Sequence, residues 1–199
     1  MILFRYTKVD GAEYISHLDL FRQIDRTFRR AGIPVAMEGM GNHPKIFMNA
    51  PLGTGIQSLA EYCCADAAYD GDFIRIFNEN APKGVRCTAW TTVEKKVNLP
   101  VLIAWCDYRI EGLAHFDEEA LLAEPEIVLT DKRDRVVEIR SKIHALYWDN
   151  GILCATLRSG NQTLRPDVLG EYLAARFGGK CGTIVKTTAK QEDMRELLK

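Results

Sequence analysis

The sequence predicts an α+β fold in which a β-α-β-β-α-β series occurs twice in tandem, and three observations predict it. Short runs alternate apolar and polar residues at a period of two, as from Ile2 to Lys8. Between such runs the period changes to three and four, as at Leu18, Phe21, Ile24 and Phe28. The order of strand and helix signals before Val97-Asn98-Leu99-Pro100 then recurs after it.

The elements follow in order. Ile2, Phe4 and Tyr6 alternate with Leu3, Arg5 and Thr7, the pattern of a half-buried strand. Ser16 followed by Asp19 reads as a capping box that opens a helix. Gly32 and Pro34 stop it. Extended segments are expected at Lys45–Ala50 and Leu59–Asp66, a short helix at Gly71–Asn80 and a strand at Val85–Val93. The second series begins with a strand from Leu102 to Ile110, a helix from Asp117 to Ala123 and a short extended piece from Ile127 to Thr130. Val136–Trp148 and Ile152–Arg158 form a hairpin across Asp149-Asn150-Gly151, because Asn-Gly suits a tight hairpin turn. Pro166 starts a helix that Gly178-Gly179 ends, and Thr183–Thr187 alternates as a last strand. The charged tail from Gln191 to Lys199 reads as a frayed helix. Each series has the ferredoxin-like order, so the expectation is two such units, 1–97 and 98–189, with a tail over 190–199. Each unit would lay its helices on one face of an antiparallel sheet and leave the other face for its twin or a ligand.

Composition narrows the function. A chain of 199 residues with 47% hydrophobic and 27% charged residues can bury a substantial core. Its net charge of −1 gives no global drive toward nucleic acid, so any such contact must be a local patch. The opening residues lack a basic stretch, and the longest apolar run, Val101–Cys106, is far short of a membrane span. A cytoplasmic protein without a membrane segment is expected. The six cysteines, at 63, 64, 87, 106, 154 and 181, include no C-x-x-C pair and no spacing that holds a four-iron four-sulfur cluster. They read as mostly buried thiols, and neither a metal site nor a cofactor is expected.

Three constellations remain. His17 falls at the first position of the first helix, beside unpaired amides and the positive end of the dipole, where anions bind readily. The alternative is that it packs against a loop, and the capping box accounts fully for Asp19. In Glu38-Gly39-Met40-Gly41-Asn42-His43-Pro44-Lys45, the glycines, Asn42 and Pro44 favour a sharply turned loop. His43 and Lys45 there offer one titratable group and one cation, or an ordinary exposed turn. Arg22, Arg26, Arg29 and Arg30 make a basic stripe beside the apolar face, either solvated or able to follow a phosphate backbone. His115 and His144 have no ligand-like neighbours, and Trp90, Trp105 and Trp148 fall in strands. No catalytic triad can be drawn.

The segments Phe4-Arg5-Tyr6-Thr7-Lys8, Ile15-Ser16-His17-Leu18-Asp19-Leu20, Arg29-Arg30-Ala31-Gly32-Ile33-Pro34 and His43-Pro44-Lys45-Ile46 resemble the radical SAM-linked family of uncharacterised bacterial proteins. The likeness covers about the first third of the chain. Where that family has Gly-Phe-Asn-Pro-His-Pro-Lys, this chain has Gly39-Met40-Gly41-Asn42-His43-Pro44-Lys45, so the Asn-Pro pair is Gly41-Asn42 here. The resemblance implies a companion to a radical SAM protein in modification of RNA or a related macromolecule, and singles out Lys8, His17, Asp19, His43 and Lys45. Taken together, a binding module is expected rather than an enzyme. It would hold RNA or a phosphate-bearing group through Lys8, His17, Asp19, Asn42, His43 and Lys45 in one pocket. The alternatives are RNA cleavage by His17 and His43, and a domain that only docks a partner protein.

Overall fold

In a computed structural model, which describes residues 1–130 and 135–198, the alternating runs become strands and the three-four runs become helices. The strands are β1 Ile2–Lys8, β2 Met37–Glu38, β3 His43–Pro44, β4 Ile46–Met48, β5 Gln57–Ala65 and β6 Cys87–Thr92. They continue with β7 Trp105–Ile110, β8 Val128–Thr130, β9 Val136–Glu138, β10 Ile143–Asp149, β11 Ile152–Arg158 and β12 Ile184–Lys190. The α-helices are α1 His17–Arg30, α2 Phe73–Asn80, α3 Leu99–Leu102, α4 Glu118–Ala123 and α5 Pro166–Phe177. The fold is mixed α and β, and its sheets are mostly antiparallel.

The helix ends follow the sequence signals. Ser16 accepts from the Asp19 amide at 3.1 Å and donates its own hydroxyl to the Asp19 carboxylate at 2.7 Å. Ser16→Ala should cost about 1 kcal/mol of stability, read as a lower urea midpoint at unchanged slope. Asp72 and Asp117 cap α2 and α4 in the same way.

The main sheet runs β10-β11-β7-β12-β5-β1-β6, with β4 also on β5. The edge of β5 is shared: β12 lies parallel to it at Gln57 and Ser58, and β4 antiparallel at Cys63 to Ala65. The two series therefore meet edge to edge in one continuous sheet. This corrects the expectation of separate sheets with a face left for the twin. The cause is the length of β5, which outruns β4 and leaves unpaired backbone groups for β12 to take.

Register sets the faces. Ala155, Tyr108, Lys186, Ser58 and Lys8 are successive cross-strand partners and form one row. On that face α1 and α2 cover Ile2, Phe4, Tyr6, Cys63 and Ala65 as one apolar core. Leu169 and Leu173 of α5 join Tyr108, Ile110, Leu153 and Leu157 in the second. On the reverse face of the second series, Arg109 pairs with Asp149, Lys190 with Asp107 and Arg158 with Glu192. Cysteines 63, 64, 87, 106 and 154 are buried, and Cys181 is half-buried.

Three further readings are corrected. Leu102 closes α3 instead of opening a strand. The long arm from Val136 is broken at Arg140–Lys142, where Arg140 turns back to donate to the carbonyls of Leu122 and Ile143; β9 pairs with β8 in a separate ribbon. The tail is not helical. Met194 takes a positive φ of 65°, which a helix does not accommodate, and the chain folds back so that Glu196 bridges Lys190. Leu197 and Leu198 pack on the second core, and Lys199 lies outside the described residues.

Candidate functional site

The row that crosses from β12 to β1 places charge where the strand pattern calls for apolar residues. Ile2, Phe4 and Tyr6 point into the core, and two residues on Lys8 points the same way, only 2% exposed. Likewise Lys186 follows Ile184 and is 3% exposed. Between them a bulge in the β1–β5 register brings Glu61 onto the same face as Ser58. Glu61, 3% exposed, takes Lys186 Nζ and Ser58 Oγ on Oε1 at 2.8 Å each, and Asn49 Nδ2 on Oε2 at 2.9 Å. Asn49 is itself fixed, donating to Ala50 O and accepting from the Tyr62 amide.

Burial alone would raise the Glu61 carboxyl, but the charge of Lys186 and three hydrogen bonds outweigh it and hold its pKa below the ordinary value. Burial would lower Lys186, and the neighbouring Cys106 and Glu61 raise it instead. Lys8 differs. Among the described residues its ammonium makes no hydrogen bond and no ion pair, and burial lowers its pKa despite Glu61 and Glu13 nearby. Glu13 is committed elsewhere, accepting from the Gly11 amide at 2.7 Å and from Gln57 Nε2 at 3.3 Å.

Past β1, Asp10 and Gly11 take positive φ and turn the chain through a short helical turn into α1. His17 is the first residue of α1, as expected, and stands close to Lys8 and Glu61. Burial lowers its pKa, Glu61 raises it and the Lys8 charge lowers it again, so it is neutral at pH 7. A neutral imidazole, an unpaired ammonium and the start of a 14-residue helix thus share one end of the sheet. Chemically the group can donate hydrogen bonds and charge to an acceptor-rich ligand. Tyr6 places a second unpartnered polar atom nearby, its hydroxyl sealed from solvent.

The other expected residues lie elsewhere. Asp19 is exposed and occupied by Ser16 and Arg22. Asn42, His43 and Lys45 belong to the β2–β3 hairpin, which continues the pairing of Ala36 and Lys45 with Asp66. Asn42, at φ 46°, makes its turn. The His43 ring lies over Gly41, where a Cβ would approach Nε2 to 2.7 Å. Lys45 faces Asp66 at 3.7 Å. From Ser58 to Asp66 the chain runs roughly 25 Å at about 3.3 Å per residue. The helix start and the His-Pro-Lys hairpin therefore stand at opposite ends of β5, which corrects the expectation that they form one pocket. One phosphate does not reach both His17 and His43. In the stripe, Arg22 pairs with Asp19, Arg29 with Asp25, and Arg30 donates to the Asn80 carbonyl that ends α2. Arg26 is left without a hydrogen bond or ion pair among the described residues.

Sequence reasoning passed over Glu61, Lys186, Ser58 and Asn49. The phase of Lys186 behind Ile184 was a usable signal, as was that of Lys8 behind Tyr6. Glu61 stands in phase with Cys63 and Ala65 and gave the same signal, whereas Ser58 gave none, because the bulge changes its face. Among the described residues no cluster of three or more His, Cys, Asp or Glu side chains is placed to hold a metal ion, and no helix is long and apolar enough to cross a membrane.

Among solved structures, the chain is similar to one in the crystal structure of a Cbf5-Nop10-Gar1 complex. The identity is 11% and the TM-score 0.49, covering 96% of this chain and 50% of that one. This chain thus spans about half the length of that neighbour. No curated protein matches. A family model matches residues 1–166, which include β1, α1, Glu61 and the hairpin, and the chain accordingly belongs to the family described as an uncharacterized protein conserved in bacteria, DUF2344.

Proposed function

We propose that the chain is an accessory module of two ferredoxin-like units, 1–97 and 98–189, that holds the phosphate-bearing group of a substrate, RNA in the first instance, for a radical SAM partner. The β4-β5-β1-β6 and β10-β11-β7-β12 strand orders support the two-unit reading. The partner rests on the sequence resemblance. The observation that carries the binding reading is Lys8, 2% exposed, whose ammonium makes no hydrogen bond and no ion pair among the described residues and stands by the start of α1. A charged donor in that position can take a ligand oxygen. His17 adds a neutral donor beside it. His43, Lys45 and Asn42, at the far end, would touch a second part of a long substrate or the partner.

The test is titration with single-stranded RNA at several salt concentrations. Each phosphate contact adds about −0.7 to the slope of log affinity against log salt. Lys8→Met should weaken binding about tenfold and remove about one contact from the slope, since one charge-assisted bond is lost. The same change should raise the unfolding midpoint, because it replaces a desolvated charge by an apolar side chain. Undiminished affinity in Lys8→Met would overturn the reading. If changing Arg22, Arg26 and Arg29 to Glu abolishes capture of the partner while RNA binding stays intact, docking is a separate role of α1.

A further inference from the structure

We propose that the narrow cleft where β12 and the start of α5 meet the loop after β4 is a binding site for a compact tetrahedral oxyanion, a phosphate group, held by Lys186, Tyr108, Ser159 and Arg165. The cleft is small, with about 40 Å³ accessible inside it, which suits a compact group rather than the body of a larger ligand. It is distinct from the Lys8 end of the row. Lys186 and Lys8 lie on either side of Ser58, two strand spacings or about 10 Å apart, and the cleft is on the β7 side.

Hydrogen-bond accounting identifies the class of ligand. Lys186 has three N–H donors, and among the described residues only the bond to Glu61 is made. Tyr108 lines the cleft and is 7% exposed, and its hydroxyl has the Cys106 thiol, a weak acceptor, as a hydrogen-bond partner. The Ser159 hydroxyl makes no hydrogen bond with another described residue. Arg165 directs part of its guanidinium to Asp167 and lies over Gly53, closing the cleft. By contrast Asn49 and Thr163 are spent, on Glu61 and Ala50 and on the Gly160 carbonyl. Donors in excess with no matching acceptor call for a ligand that only accepts, and their number favours four oxygens over two. Arg165 caps α5 without a side-chain acceptor, so the 12-residue helix adds the partial charge of its start. Burial first, then Cys106 and Glu61, push the Tyr108 phenol well up, which keeps it protonated and a donor. Lys186 and Arg165 are each offset by one carboxylate, Glu61 and Asp167, which orients them without consuming all their donors.

The test uses the full chain and inorganic phosphate, with thermal unfolding and calorimetric titration at constant ionic strength. Phosphate should raise the midpoint where chloride and acetate do not. Tyr108→Phe, which removes only the hydroxyl and keeps the packing, should weaken phosphate about tenfold, and Ser159→Ala should weaken it in the same direction. Two results would overturn the inference. One is equal affinity in the unaltered chain, Tyr108→Phe and Ser159→Ala; the other is a midpoint that acetate raises as far as phosphate does. Loss of phosphate binding in Lys8→Met with Tyr108→Phe unaffected would also overturn it, while leaving the reading of the Lys8 end intact.

Discussion

Glu61→Ala is expected to lower the unfolding free energy by about 3–5 kcal/mol, because it strands the Lys186 ammonium inside the sheet with no counter-charge. Lys186 is 3% exposed, and Glu61 is its one hydrogen-bond acceptor among the described residues. Ser58 and Asn49 lose the same acceptor. The pair joins β12 to β5, where the two series share only the Val185–Gln57 and Lys186–Ser58 register, so the loss falls on the seam of the sheet. Replacing both partners, as Glu61→Met with Lys186→Met, should recover most of the stability, since the desolvation of two charges disappears with their attraction. Urea unfolding of the two single variants and the double variant measures this, and a double variant no more stable than Glu61→Ala would contradict it. The pH dependence follows from the same pair. The Glu61 carboxyl lies below its ordinary 4.5, so its contribution is present above that value and lost as pH falls through the folded one. Lys186 lies above its ordinary 10.5, so its contribution is present below that value and lost as pH rises through the folded one. The contribution of the pair should be flat between these limits and fall at both ends, and the acid and alkaline losses should shrink in the double variant.

How much of this was legible in the sequence depends on which physics each part uses. Alternation gave β1 and β11, and the capping residue gave the start of α1, because those signals are local. The joining of the series through β12 and β5 was not legible, because nothing local says which edge an unpaired strand end will find. The tail was misread for a related reason: its charges suggested a solvated helix, whereas Leu197 and Leu198 find apolar contacts made by distant residues. At the site, His17 was placed by its cap, and Lys8 was singled out by the family resemblance. Ser58 was hidden by a bulge, and the cleft residues Tyr108, Ser159 and Arg165 come from three separate stretches of the second series. The His-Pro-Lys hairpin was read correctly as a turn, but its distance from His17 is set by the length of β5, a tertiary quantity.

Phe4→Ala should cost about 3–5 kcal/mol, the range for deleting a core aromatic ring that its surroundings cannot replace. Phe4 is fully buried on β1, with ring centroids at 5.1 Å to Phe77, 5.4 Å to Phe73, 5.7 Å to Tyr6 and 6.0 Å to Phe28. It is the one ring of that group in contact with both helices and with its own strand, so the cavity opens beneath α1 and α2 together. A domain of ordinary stability has about 5–15 kcal/mol in total, so the variant stands near its limit. Phe4→Leu, which keeps part of the volume, should lose markedly less. Hydrogen exchange locates the damage: amides of α1 and α2 should open first, while those of β7 and β11, in the other core, keep their protection. A loss below about 1 kcal/mol, or exchange raised equally in both cores, would show that the two apolar cores do not respond separately. The consequence for binding is directional. Phe4 precedes Lys8 by four residues on the same face, and α1, which carries His17, rests on that ring through Phe28. Loosening the core therefore frees the Lys8 ammonium and the helix start to move apart, and substrate affinity should fall even while the chain remains folded.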